Sequence, residues 1–207
     1  MKTAKAQLPN RRNPHAPDAA LLTIGWAAAL RRSELVGLDW VRQGDGAGIV
    51  KIEERGLVVT LPTSKGSQTG AVTIVFPCED MRTACDALER WGAVAGLQPG
   101  QPAFRPIDKG GTIAPDRLTG RSISRIVKAR IRKLAIAKGK TEAEAETIAE
   151  AFSGHSMGAG YATTAGAHDE PAYRIQQRMR YKSADTTTGY IRAGEQWTKS
   201  GLKGFGF

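Results

Sequence analysis

The sequence predicts an α+β fold, mainly helical, with one small three-stranded antiparallel sheet across residues 47 to 76. Three observations point there. GIVKIEE, GLVVTLP and AVTIVF are short and rich in valine and isoleucine, and GDGAG, ERG and SKGSQTG punctuate them as turns. Long stretches outside them space their apolar residues as helices do. At 207 residues the chain is long enough for one sizeable core, or for that core and a small appendage.

The elements follow in order. Residues 1–17 are basic and hold Pro9, Pro14 and Pro17, so they read as a flexible lead-in. Pro17 and Asp18 suit the start of a helix whose body of alanine and leucine runs to Leu30. SELVGL restarts helix, with Ser33 as its cap. GDGAG lacks a following Gly-Lys-Ser/Thr and opens no helix, so it reads as a hairpin turn rather than a phosphate loop. EDMRTACDALERWGAVAG is an amphipathic helix ended by glycine, and QPGQPAFRPIDKGGTIAP is a loop. LTGRSISRIVKARIRKLAIAKGK is a basic amphipathic helix. TEAEAETIAEAF is another, with Thr141 and Glu144 spaced as a capping box. Residues 156–200 read as several short helices.

Thirty basic residues against twenty acidic ones give a net charge of +10, which calls for a polyanionic partner. No apolar run follows the first lysines as in a signal peptide, and none approaches the ~18 residues of a membrane span. Nucleic acid is therefore the expected partner, in the cytoplasm and not at a membrane. Arg121 to Lys140 holds eight basic residues and no acidic one, interleaved with isoleucine, valine and leucine at helical spacing. Such a helix packs one face and tracks phosphates with the other; Arg121, Arg125, Lys128 and Arg132 are the expected contacts. A second basic group, including Arg178, Arg180 and Lys182, precedes Tyr190. Cys78 and Cys85 have neither CxxC nor zinc spacing, so they read as reduced core thiols in a metal-free protein.

Four segments, ALRRSEL, SKGSQTG, GHSMGAG and SADTTTGYIR, fall in an order that resembles the tyrosine recombinases, the phage integrases and their chromosomal relatives. The resemblance covers about residues 19 to 207. It implies that residues 18–207 form a catalytic domain, helical with a small three-stranded sheet, and that the DNA-clamping domain usual ahead of it is absent. It also implies site-specific cleavage and rejoining of double-stranded DNA through a 3′-phosphotyrosine, with no ATP, metal or other cofactor.

The resemblance makes Tyr190 the nucleophile, Arg31 the first phosphate-binding arginine with Arg32 beside it, and Lys65 the acid that protonates the leaving 5′-oxygen. His155 becomes the histidine of an H-x-x-R motif. The C-terminal GEQWTKSGLKGFGF resembles a tail that docks on a neighbouring protomer, with Trp197 and Phe205 as anchors; a tail folded back on its own domain is the alternative.

Elementary chemistry agrees with these roles. A phenol of pKa about 10 needs help losing its proton at neutral pH. A phosphoryl transition state spreads negative charge over its equatorial oxygens, and guanidinium forks match it better than ammonium. A departing alkoxide needs a proton, which a lysine on a hairpin can deliver. Glu34 reads as a structural partner for an arginine.

Two positions depart from the pattern. H-S-M-G-A-G-Y-A-T matches the family's H-S-L-R-A-G-F-A-T except that Gly158 stands where the second arginine belongs. Nine residues before Tyr190, where histidine or tryptophan is usual, stands Tyr181, which still donates a hydrogen bond. Removing one preorganised donor from a developing oxyanion costs about 10²–10³ in rate. The sequence leaves three readings: Arg178 or Arg180 substitutes; activity is severely reduced or lost in a degenerate integrase that still binds DNA; or the motif is misaligned, or the protein is an unrelated basic DNA-binding protein. The alternative function is that of a non-catalytic DNA-binding remnant or regulator of an active integrase. A topoisomerase-like relaxing activity shares the same chemistry.

Overall fold

The computed structural model describes residues 16–42, 44–62, 70–180 and 184–195. They fall into two compact units, one of the described residues 16–23 and 33–120, the other of those in 24–32 and 121–195.

The first unit is built on a sheet in the order β1-β2-β3-β4, with β1 Leu38–Trp40, β2 Gly48–Glu53, β3 Gly56–Leu61 and β4 Val72–Pro77. The last three strands are antiparallel, and each matches one of the expected segments. Their hairpin turns at Glu54–Arg55, and Gly56 follows at φ 148, where a Cβ would stand 2.0 Å from the Phe76 carbonyl oxygen. Only glycine fits that approach. In β4, Ile74 and Phe76 point inward while Val75 is 60% exposed, the alternation of a sheet with one covered face.

The fourth strand corrects the expected count of three. Leu38–Trp40 pairs parallel to β2, so GDGAG joins two parallel strands and is no hairpin. The cause is Asp39, fully buried, whose Oδ2 accepts from the Gly44 and Gly46 amides at 2.7 and 2.8 Å. Arg117 completes the knot, donating to Asp39 Oδ1 at 2.7 Å and to the Val36 and Leu38 carbonyls at 3.0 Å each.

Helix α3, Arg82–Ala95, buries Ala84, Leu88 and Trp91 and ends on left-handed Gly96, as the sequence indicates. Cys78 and Cys85 are not free thiols: the turn before α3 brings their Cα atoms to 6.0 Å and they form a disulfide. Two cysteines on one tight turn and the following helical turn lie within bridging distance, which spacing alone did not reveal.

The second unit holds α4 Gly120–Ala137, α5 Glu142–Glu150, α6 Ser156–Ala167, α7 Ala172–Met179 and α8 Ala184–Glu195. Thr141 and Glu144 form the expected capping box on α5. Helix α6 packs against α8 through Gly166, where a Cβ would meet Ile191 Cα at 3.0 Å. The apolar centre is Ala29, Ala162, Ile175 and Met179. Among the described residues no helix is long and apolar enough to cross a membrane.

Helix α1 covers Ala16–Ala27 and stops three residues short of the expected Leu30. Ala29 turns left-handed at φ 48, its amide donates to Trp26 O at 3.0 Å, and Leu30 N donates to Gly25 O at 2.9 Å. This is a Schellman ending formed without glycine, which left no mark in the sequence. Helix α2, Arg32–Val36, then begins one residue before Ser33, which lies inside it and is not its cap.

Candidate active site

The C-terminal carbonyls of α1 lack intrahelical partners and carry the negative end of the helix dipole. Arg178 of α7 and Arg180 at its C-cap meet them. Arg178 donates to Ala27 O at 3.4 Å, and Arg180 donates from Nη1 to Ala28 O at 3.1 Å and from Nη2 to Ala29 O at 3.0 Å. Arg180 Nη1 also reaches Arg178 O at 2.7 Å. Both arginines, expected as DNA contacts, are thus engaged as caps of the helix that precedes Arg31. Arg31 is exposed and donates from Nη2 to the Arg180 carbonyl at 3.3 Å. The two segments hold each other.

Gly158 is buried on α6. A Cβ there would meet Met179 Cε at 3.6 Å and Ala29 O at 3.9 Å, ordinary contacts. The direction a side chain would take from position 158 therefore leads to the carbonyl that Arg180 occupies. Tyr190, on α8, is half-buried and packs on the cluster of Ala29, Ala162, Ile175 and Met179. Arg31, Arg180, Gly158 and Tyr190 share one neighbourhood.

His155 stands exposed at the N-cap of α6, and its imidazole makes no cap bond. The Ser153 and Ser156 hydroxyls shape that turn instead, accepting from the His155 and Ser153 amides at 3.2 and 2.9 Å. Arg32 reaches the same turn: a Cβ on Gly154 would stand 3.0 Å from the Arg32 Cβ and 3.6 Å from Ser124 Oγ. Glycine at 154 lets the Arg32 stem lie along the backbone that presents His155.

Behind this site Trp26 meets Tyr161 edge to face at 5.8 Å, and the Arg178 guanidinium lies 6.0 Å from the Tyr161 ring centre. Burial raises the Tyr161 phenol above its ordinary pKa, against the lowering influence of Arg178. Sequence reasoning missed this stack and the carbonyl caps. The spacing of Arg178 and Arg180 was visible, but their acceptors lie about 150 residues away, in a turn without a signature.

Lys65, Tyr181 and Lys182 lie outside the described residues, as does the tail with Trp197 and Phe205. The basic helix α4 is less uniformly positive in the fold than in the sequence. Helix α5 sets Glu150 against Lys128, and Glu142 and Glu146 against Arg132, the last at 3.1 Å. Arg121 and Arg125 remain exposed, Arg125 within 3.3 Å of the Ser122 hydroxyl.

No family model matches the chain. It is 30% identical over 188 residues to an integrase/recombinase XerD homolog of Selenomonas ruminantium, an alignment covering 89% of this chain and 50% of the relative. The chain thus spans about half the length of that curated relative. Its fold is similar to XerH site-specific recombinase bound to palindromic difH substrate in a post-cleavage complex, with TM-score 0.61, 14% identity, and coverage of 97% of this chain and 48% of that one. It is also similar to the Tn1549 transposon integrase in complex with transposon right end DNA, with TM-score 0.50, 17% identity, and coverage of 89% and 58%. At those identities the structural likeness is one of fold.

Proposed function

The chain belongs to the tyrosine recombinase family, and from that premise we propose that residues 18–207 cleave and rejoin double-stranded DNA through a 3′-phosphotyrosine on Tyr190. The Tyr190 phenolate oxygen attacks the scissile phosphorus, the bond to the 5′-oxygen breaks, and that oxygen takes a proton from Lys65. Religation reverses the step. Arg31, with Arg32 beside it, supplies guanidinium charge to the equatorial oxygens, and His155 contacts the phosphate and moves the phenol proton. Tyr181 donates a further hydrogen bond. Exposed Arg121 and Arg125 track the DNA backbone with Lys182.

One observation carries the reading: residues as distant in sequence as Arg31, Gly158, Arg180 and Tyr190 gather around the Ala29 turn and Met179. Gly158 brings no charge to that place, so the chemistry runs slowly, on the order of 10²–10³ below a site with arginine there. The same glycine, together with the packing of Tyr190 on an apolar cluster, supports a second reading as a DNA-binding regulator of an active integrase.

Nicked duplexes with randomised sequence around the nick separate the two. The enzyme reading expects a covalent adduct that disappears in Tyr190→Phe and increases in Gly158→Arg. Retention of DNA with no adduct, in the native chain and in Gly158→Arg alike, supports the regulator.

A further inference from the structure

Arg180 ends α7 in the left-handed region, at φ 55, a conformation that a non-glycine residue rarely adopts and that glycine takes freely. Nothing about capping α7 requires arginine there. The side chain explains the choice, because its guanidinium serves three carbonyls, those of Ala28, Ala29 and Arg178. Its own carbonyl in turn receives Arg31. A Cβ on Gly158 would meet Cε of Met179, the residue before Arg180, at 3.6 Å and then the same Ala29 acceptor at 3.9 Å.

We propose that Arg180 is a positioning residue: it holds Arg31 toward the phosphate and sets beside Gly158 the guanidinium that α6 itself lacks. The inference rests on the phosphotyrosine reading above for its consequence in catalysis. Its structural half stands apart from that reading. Planar donors in a fixed fork suit several carbonyls converging from one turn, and a point-like ammonium does not. With its Nη1 and Nη2 donors directed at the backbone, Arg180 acts through Arg31 and the turn rather than on the phosphate.

The test uses the full chain and Arg180→Gly, which removes the guanidinium while suiting the left-handed backbone. The expected result is a melting temperature changed by only a few degrees, since relief of the left-handed backbone offsets part of the lost carbonyl bonds, and affinity for a random-sequence duplex within about threefold. At saturating nicked DNA the rate of adduct formation falls on the order of 10²-fold, and Gly158→Arg in the same chain restores it at least tenfold. A merely structural role moves stability and does not produce that rescue. A rate within threefold of the native one overturns the proposal, and a loss that Gly158→Arg does not rescue overturns the pairing with Gly158.

Arg180→Lys provides a second variant should Arg180→Gly fold poorly: its rate falls at least tenfold, and parity with the native chain overturns the proposal. If neither the native chain nor Gly158→Arg gives an adduct, the phosphotyrosine reading fails. Amide hydrogen exchange across residues 28–31 then decides separately: acceleration of about tenfold in Arg180→Gly supports the positioning role, and unchanged exchange overturns it.

Discussion

Arg31 and Arg180 hold one another across 149 positions of sequence, the side chain of the first on the carbonyl of the second at 3.3 Å. In the proposed reaction, a guanidinium held in this way is oriented before the phosphate arrives, and preorganised charge is the kind that lowers a barrier. Arg31→Lys retains the charge and loses the fork. Its adduct rate is expected to fall on the order of 10²-fold, with duplex affinity nearly unchanged, in single-turnover gels set beside filter binding.

Helix α4 makes a graded prediction about DNA affinity. Arg125 faces solvent, while Arg132 is already paired with Glu142 and Glu146. Arg125→Ala is expected to reduce the slope of log K against log salt by about 0.9, and Arg132→Ala by clearly less. Glu146→Gln changes it in the opposite direction. Fluorescence anisotropy across a salt series reads all three, and equal slopes for the two arginine variants would contradict the pairing.

In the first unit, Arg117 and Asp39 form the charged centre of the knot around β1. Burial works to lower the Arg117 pKa, but its hydrogen bonds to Asp39 and Asp45 and their charge prevail and raise it, so it stays protonated. Arg117→Ala leaves the carboxylate of Asp39 buried with no cation and is expected to destabilise by about 3 kcal/mol in urea unfolding. Asp39→Asn, which keeps acceptors for the glycine amides, is expected to cost less.

Two of the three glycines of α6, Gly158 and Gly166, behave oppositely. Gly158→Ala meets only ordinary contacts at 3.6 and 3.9 Å and gains helix propensity, so stability rises by roughly 0.5–1 kcal/mol. Gly166→Ala sets a methyl 3.0 Å from Ile191 Cα and 3.2 Å from its carbonyl, both backbone, and is expected to destabilise by about 1–3 kcal/mol. Thermal melts of the two variants shifting the same way would refute the α6–α8 packing.

The capping box gives a pH dependence. Hydrogen bonds from the Thr141 amide and hydroxyl, then the Lys140 charge, hold the Glu144 carboxyl below its ordinary 4.5. A depressed folded value means that the contribution is complete above the unfolded pKa and lost as pH falls through the folded one. Thr141→Ala is therefore expected to lower the melting temperature at pH 7, and by somewhat less once Glu144 is protonated in both chains, because the bond from the Glu144 amide to the Thr141 hydroxyl is lost at either pH.

Much of this fold was readable because its signals are local. Three strands, the glycine end of α3 and the capping box each depend on neighbours in sequence. Leu38–Trp40 escaped notice because three residues show no period, and its pairing depends on Asp39 gathering amides from the following loop. The Cys78–Cys85 bridge and the early end of α1 likewise depend on turn geometry that no residue type announces. Of the site, Arg31, His155, Gly158 and Tyr190 stood out by motif. The role of Arg178 and Arg180 did not, because a basic residue reads alike whether its acceptor is a phosphate or a distant carbonyl. Nor did the glutamates of α5 show in sequence that they face α4.

The thinness of α6 where α8 crosses it has a mechanical result. With only hydrogen at Gly166 between the two backbones, α8 lies close on α6, and Tyr190 packs on the cluster of Ala29, Ala162, Ile175 and Met179. A methyl group added at Gly166 would stand 3.0 Å from Cα of Ile191, the residue after Tyr190, so α8 would have to move away. In the proposed reaction, the reach of Tyr190 toward a DNA strand then depends on how near the neighbouring helix lets α8 approach.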